Sequence, residues 1–222
     1  SRGLGDVYKR QIYMCSHEYT TEPMMFPNYD PENPTEEQVK IGWAGHGHTI
    51  LEVSKVGDTG ELKREFGPLN RRITATTPFT LVGPAKGSDF VKTSADQKGE
   101  KVLGTLNNCS GGVTPWNTML SGEENFDQYF AGGDVKDEKA AESLKRFGIK
   151  EGPSERKWEK YDDRFDVTKE PNEPNRFGWL VEINPLDPNS TPIKHTAVGR
   201  YKHEAGNIHI TKDGTVVCYS GD

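Results

Sequence analysis

The 222-residue sequence predicts an all-β fold laid out as an antiparallel meander, and three observations carry that expectation. Short apolar or alternating runs recur along the chain. Each run is bounded by Gly, Pro, Asn or Asp clusters, for which 24 glycines and 14 prolines supply the material. Helical periodicity is confined to two short stretches. In chain order, strands are expected at residues 12–15, 49–56, 77–82, 101–106, 178–183, 196–201, 207–210 and 215–219. The Asp213-Gly214 step between the last two is a tight hairpin signal. Helices are expected at 35–40, where Thr35 follows Pro34 as an N-cap, and at 137–147, which Gly148 ends. Residues 148–175, rich in charge, read as a surface insertion.

Leu, Ile, Val and Phe together make up only about a fifth of the chain, so the core is expected to be thin and completed by Trp and Tyr. With 28 basic and 34 acidic side chains the net charge is −6, which leaves no electrostatic footprint for nucleic acid. No apolar run approaches the roughly 20 residues of a membrane span. Cys15, Cys109 and Cys218 form no C-x-x-C pair and cannot all be bridged, so no disulfide framework is expected. Residues 1–11 (SRGLGDVYKRQ) have neither a signal-peptide core nor any periodicity and read as an adapter-derived segment outside the fold. The chain stops just after a strand-like run, at Asp222, so residues 12–222 are expected to be the N-terminal part of a larger domain.

The densest functional candidate is Gly104 to Trp116 (GTLNNCSGGVTPW), followed by Gly122, Glu123, Glu124 and Asn125. Gly111 and Gly112 free the backbone to turn tightly beside Cys109, and the Asn107 and Asn108 amides can brace a loop or offer oxygen to a hard cation. By residue type Cys109 is either a metal ligand or reactive thiol, or else a small buried hydrophobe. Glu123 and Glu124 are adjacent, so on an extended segment only one naturally faces Cys109, and which one stays open. A second cluster, Arg200 to Gly206 (RYKHEAG), offers His203 and Glu204 to a metal, or is simply a solvated strand end. Ser16 to Tyr19 (SHEY) is a third, and His46-Gly47-His48 a fourth, in which both rings would share one face of a strand. No Walker loop, zinc-protease helix or nucleophile elbow is present.

From residue 12 to 222 the sequence resembles the PhoX-type alkaline phosphatases, a family of secreted bacterial enzymes. The blocks that carry the resemblance are Ser16 to Thr20 (SHEYT), His46-Gly47, Asn70 to Thr74 (NRRIT), Gly104 to Cys109 (GTLNNC) and Gly112 to Trp116 (GVTPW). They continue with Glu123 to Asn125 (EEN), Phe177 to Trp179 (FGW) with Glu182, Pro185, Asp187 and Pro188, then Lys202 to Glu204 (KHE) and Tyr219 to Asp222 (YSGD). The resemblance implies a partial β-propeller carrying part of a mixed iron and calcium cluster, hydrolysis of phosphate monoesters, and a monomer exported by the twin-arginine route to the periplasm or outside. It implies Cys109 as an iron ligand, Glu124 or Glu123 and Glu204 as carboxylate ligands and Asp222 as a calcium ligand. Asn108, Gly111, Gly112, Trp116 and His203 would shape the site. The alternative is a non-catalytic secreted propeller whose carboxylates hold structural calcium. The sequence departs from the family pattern at Asn117, usually Gly, and at Gly122, usually Cys. The family's remaining ligands and phosphate-binding residues lie beyond Asp222, so this stretch alone is expected to be inactive.

Overall fold

A computed structural model describes residues 10–222, and it is dominated by β-structure with few helices. Strand β1 (Arg10–His17) runs antiparallel to β2 (Gly47–Lys55), and the same far edge of β2 takes β3 (Leu62–Glu65) and β4 (Arg71–Ile73) in succession. A six-stranded sheet follows, in the order β6-β5-β10-β9-β8-β7. Its members are β5 (Pro78–Val82), β6 (Lys101–Leu103), β7 (Asn108–Val113), β8 (Met119–Glu123), β9 (Leu180–Ile183) and β10 (Ile193–His195). A separate hairpin joins β11 (Asn207–Ile210) to β12 (Val216–Tyr219), closed by Gly214 at φ 86°.

The helices follow their caps. Helix α1 (Glu22–Met25) is a single turn with Pro23 in it. Helix α2 (Glu36–Gly45) begins at Thr35, whose side chain accepts from Gln38 N–H while the Gln38 side chain accepts from Thr35 N–H, a complete capping box. It runs five residues past the expected end, to Gly45. Helix α3 (Glu138–Arg146) is capped by Asp137 and stopped by Gly148 at φ 81°.

Three expectations are corrected. The meander is not wholly antiparallel, because β10 pairs β5 in parallel after a long excursion. The strand expected at 196–201 is a turn, with Gly199 at φ 87°, and the ladder lies just before it in β10. Residues 148–175 are not a surface insertion. Short 3-10 turns there deliver Trp158, Phe165 and Val167, all buried, into the main core. Trp158 meets Trp43 edge-on at 6.1 Å and Phe165 at 5.1 Å between ring centroids, beside Tyr129, Phe130 and Phe177. The expectation for residues 1–11 falls outside the described residues up to residue 9, while Arg10 and Gln11 pair with Ser54 and Val53 as the start of β1. The cysteines are all free.

If this segment is core, Trp158→Ala should lower the unfolding free energy by about 3–5 kcal/mol, the usual cost of deleting a buried aromatic. A loss within about 0.5 kcal/mol in chemical denaturation would instead fit a surface insertion.

Candidate metal centre

The Cys109 side chain is re-aimed by a break in the ladder. Along β7 and β8, Asn108 pairs with Glu123 and Gly111 with Ser121, so three steps on β7 answer two on β8. Such a bulge turns a side chain out of the regular alternation. Ser110, inside the bulge, donates its N–H to the Glu204 carbonyl at 2.7 Å, which docks the 203–204 segment onto β7. Small residues make this approach feasible. A Cβ on Gly122 would lie 2.0 Å from the His203 carbonyl oxygen, and one on Gly112 2.0 Å from Asn207 Oδ1.

Glu18, immediately after β1, and Glu124, immediately after β8, bring one oxygen each to within 4.8 Å of each other and of Cys109 Sγ. Glu204 borders the group and repels both Glu18 and Cys109. Burial, then the neighbouring charges of Glu18, Glu124 and Glu204, push the Cys109 thiol up to about 11. Burial and the charges of Glu124 and Glu204 likewise raise Glu18 above the usual carboxylate range, against the hydrogen bond it receives from Cys109. Carboxylates crowd a thiol here, and the charges acting on Glu18 are acidic. The donor set therefore fits a cation: clustered carboxylate oxygens suit calcium and ferric iron, and a thiolate suits iron. Tyr19 and Asn125, the residues following Glu18 and Glu124, line an open recess of about 320 Å³ with Asp127, Gln128, Glu155 and Arg156.

The adjacent glutamates diverge. Glu123 is fully buried and accepts from Thr105 Oγ1 at 2.8 Å, Leu106 N–H at 3.3 Å, Trp179 N–H at 3.3 Å and the Lys194 ammonium at 2.7 Å. Lys194 is also fully buried, donates to the Arg176 carbonyl, and sits 3.9 Å from the Phe177 ring centroid. Burial lowers its ammonium to about 8, against the attraction of Glu123. Glu123 is thus engaged by the core, and Glu124 takes the cluster.

The remaining expected residues sit variously. Asn108 is buried and bonded to Thr105. His203, buried beside Glu204, is held by Ser220 at 2.8 Å and Gly199 at 3.0 Å. Asp222 follows Gly221, whose carbonyl accepts Glu204 N–H, and its charge acts on His203. Trp116 is not brought to the cluster. It occupies the β7–β8 hairpin turn and donates to Glu182 at 2.6 Å. The His46 and His48 rings do not form a pair of ligands on one strand face. His46 caps α2, with both ring nitrogens bonded to Gly42 and Tyr129, and only His48 lies in β2. Glu18 lies within the Ser16 to Tyr19 cluster, but the sequence alone assigns it no ligand role.

A family model described as alkaline phosphatase PhoX matches residues 5–222. The chain belongs to the PhoX family. Among solved structures it is similar to Pseudomonas fluorescens PhoX in complex with vanadate, a transition state analogue, with a TM-score of 0.88 and 40% identity. That alignment covers 97% of this chain and 37% of the relative, so the chain spans little more than a third of it. No curated protein sequence matches. Both departures from the PhoX pattern have a local reason. Asn117 takes φ 66°, a left-handed turn position that Asn tolerates in place of Gly. Gly122 accommodates the His203 carbonyl, which a cysteine Cβ would strike.

Two outcomes follow for the metal-free chain. Alkylation of Cys109, resolved from Cys15 and Cys218 by mass spectrometry, should rise about tenfold per pH unit up to about pH 10, reach half its maximum at about pH 11 and level off above that, because only the thiolate reacts. Lys194→Met should cost about 3–5 kcal/mol in denaturant unfolding, because it strands the Glu123 carboxylate.

Proposed function

We propose that this chain is part of a phosphomonoesterase that releases inorganic phosphate with an iron and calcium cluster. The supporting observation is the convergence of Glu18, Cys109 and Glu124 within 4.8 Å, in a PhoX-family chain whose relative takes vanadate. Cys109 and Glu124, with Glu18 added to the expected set, would hold iron or share it with calcium, and Glu204 and Asp222 would complete the carboxylate side toward calcium. Metal ions held there would supply polarisation of the phosphoryl oxygens and offset of charge in an in-line displacement. The chain's own residues hold the donors: the β7 bulge aims Cys109, the Glu123–Lys194 pair fixes the start of Glu124, and Ser110 anchors Glu204. The recess beside Tyr19 and Asn125 gives the leaving group room next to the donors. A β-propeller completed by further chain, and export to the periplasm or beyond, belong to the same reading. No helix among the described residues is long and apolar enough to cross a membrane.

In a full-length PhoX-family protein carrying this segment, Cys109→Ser and Glu18→Gln should each lower kcat/KM for a phosphate monoester by about a hundredfold or more, and both should lower metal content. Chelation should inactivate it, with recovery on re-adding the metals. A metal-replete protein inert toward a panel of phosphate monoesters would favour the calcium-binding scaffold, and full activity in Cys109→Ser without iron would remove the thiolate from the site.

A further inference from the structure

A chain of hydrogen bonds with only one consistent direction runs from the end of α2 to the residue after Glu124. His46 Nδ1 lies 2.7 Å from the Gly42 carbonyl oxygen. A carbonyl only accepts, so Nδ1 carries the proton. Burial holds the ring neutral, with a pKa near 4, so Nε2 is left with a lone pair. It therefore accepts from the Tyr129 hydroxyl at 2.9 Å. With its proton committed, the Tyr129 oxygen accepts from Asn107 Nδ2 at 3.4 Å. The Asn107 carboxamide must then turn its oxygen the other way, where it accepts the Asn125 N–H at 2.7 Å, while the Asn107 carbonyl accepts the Glu124 N–H at 3.0 Å. Asn107 itself sits at φ 49°, two residues before Cys109. His46, Tyr129 and Asn107 are all buried, and the His46 ring is packed edge-on against Tyr129 and Trp158 at 5.2 and 5.1 Å.

We propose that His46 is a positioning residue: acting through Tyr129, its tautomer sets which way the Asn107 carboxamide faces, and Asn107 in turn holds the Glu124-Asn125 backbone so that the Glu124 carboxylate meets Cys109. A reversed carboxamide would oppose an NH2 to the Asn125 N–H and call the Tyr129 proton away from His46. The functional consequence rests on the reading of Glu124 and Cys109 as metal ligands, whereas the relay itself does not.

The test uses the 222-residue chain. In nitrogen-15 NMR, His46 should be the Nδ1–H tautomer, and an Nε2–H tautomer overturns the relay. Tyr129→Phe removes one oxygen and keeps the ring. It should speed hydrogen exchange at the Asn125 amide about tenfold, the worth of roughly one hydrogen bond. Unchanged exchange in a folded variant overturns the proposal, and should that variant fail to fold, the wild-type tautomer still decides. Cobalt(II), titrated with its thiolate charge-transfer absorption as readout, should bind about tenfold more weakly to Tyr129→Phe and to His46→Leu. The double variant should be no weaker than the worse single one, because both cut the same chain. Additive losses overturn the proposal. Absence of any cobalt–thiolate absorption in the wild type, with exchange still accelerated by Tyr129→Phe, keeps the relay and removes the ligand reading instead.

Discussion

Glu123 and Lys194 meet at 2.7 Å with neither side chain exposed, and the geometry of the site depends on that contact. Removing both charges from water costs several kcal/mol per ion, and only dense pairing offsets it. Here the offset is dense: the carboxylate takes donors from the loop before β7, from Trp179 before β9 and from β10. Three separate stretches of chain are therefore pinned to one carboxylate at the end of β8. Because successive residues on an extended segment face opposite ways, committing Glu123 inward sends Glu124 outward, toward Cys109.

The parts of the fold legible in the sequence are those whose local chemistry agrees with the final packing. β2 and the β11–β12 hairpin alternate or turn as their residues suggest, and both longer helices start at their caps. β7 and β8 were not legible, because NCSGGV and MLSGE carry little apolar alternation. They are small and polar because a bulge and a close-lying neighbour segment demand it. β10 was hidden for a different reason. Its inward residue is Lys194, tolerated only because its counter-charge lies 71 residues away in sequence. Trp158, Phe165 and Val167 reach the core through 3-10 turns and so show no helical or strand period.

The site was legible where motif blocks supplied it. Cys109 and the Glu123-Glu124 pair stood out by composition of their loop, and Glu204 by its neighbours. The choice between the glutamates was not, since it depends on Lys194, and although Glu18 sits in a recognised block its place in the cluster was not, because it joins the others only through the pairing of β1 with β2 and the approach of β1 to β7. Trp116 illustrates the converse error. It belongs to a block that is contiguous in sequence with Cys109, yet the hairpin carries it to the opposite end of β7, where it serves the Glu182 network.

The clustered side chains at residues 18, 109 and 124, and the neighbouring Glu204, come from the end of one sheet, a bulge and a strand end in another, and a connecting loop. Closing loops of that length is entropically slow, and no pair except 109 and 124 is brought together by a local hairpin. Glu18, Cys109 and Glu124 therefore converge only after the distant segments have docked. On the proposed reading, metal capture would follow the assembly of tertiary structure rather than seed it, and its loading rate would be a clock for the last step of folding.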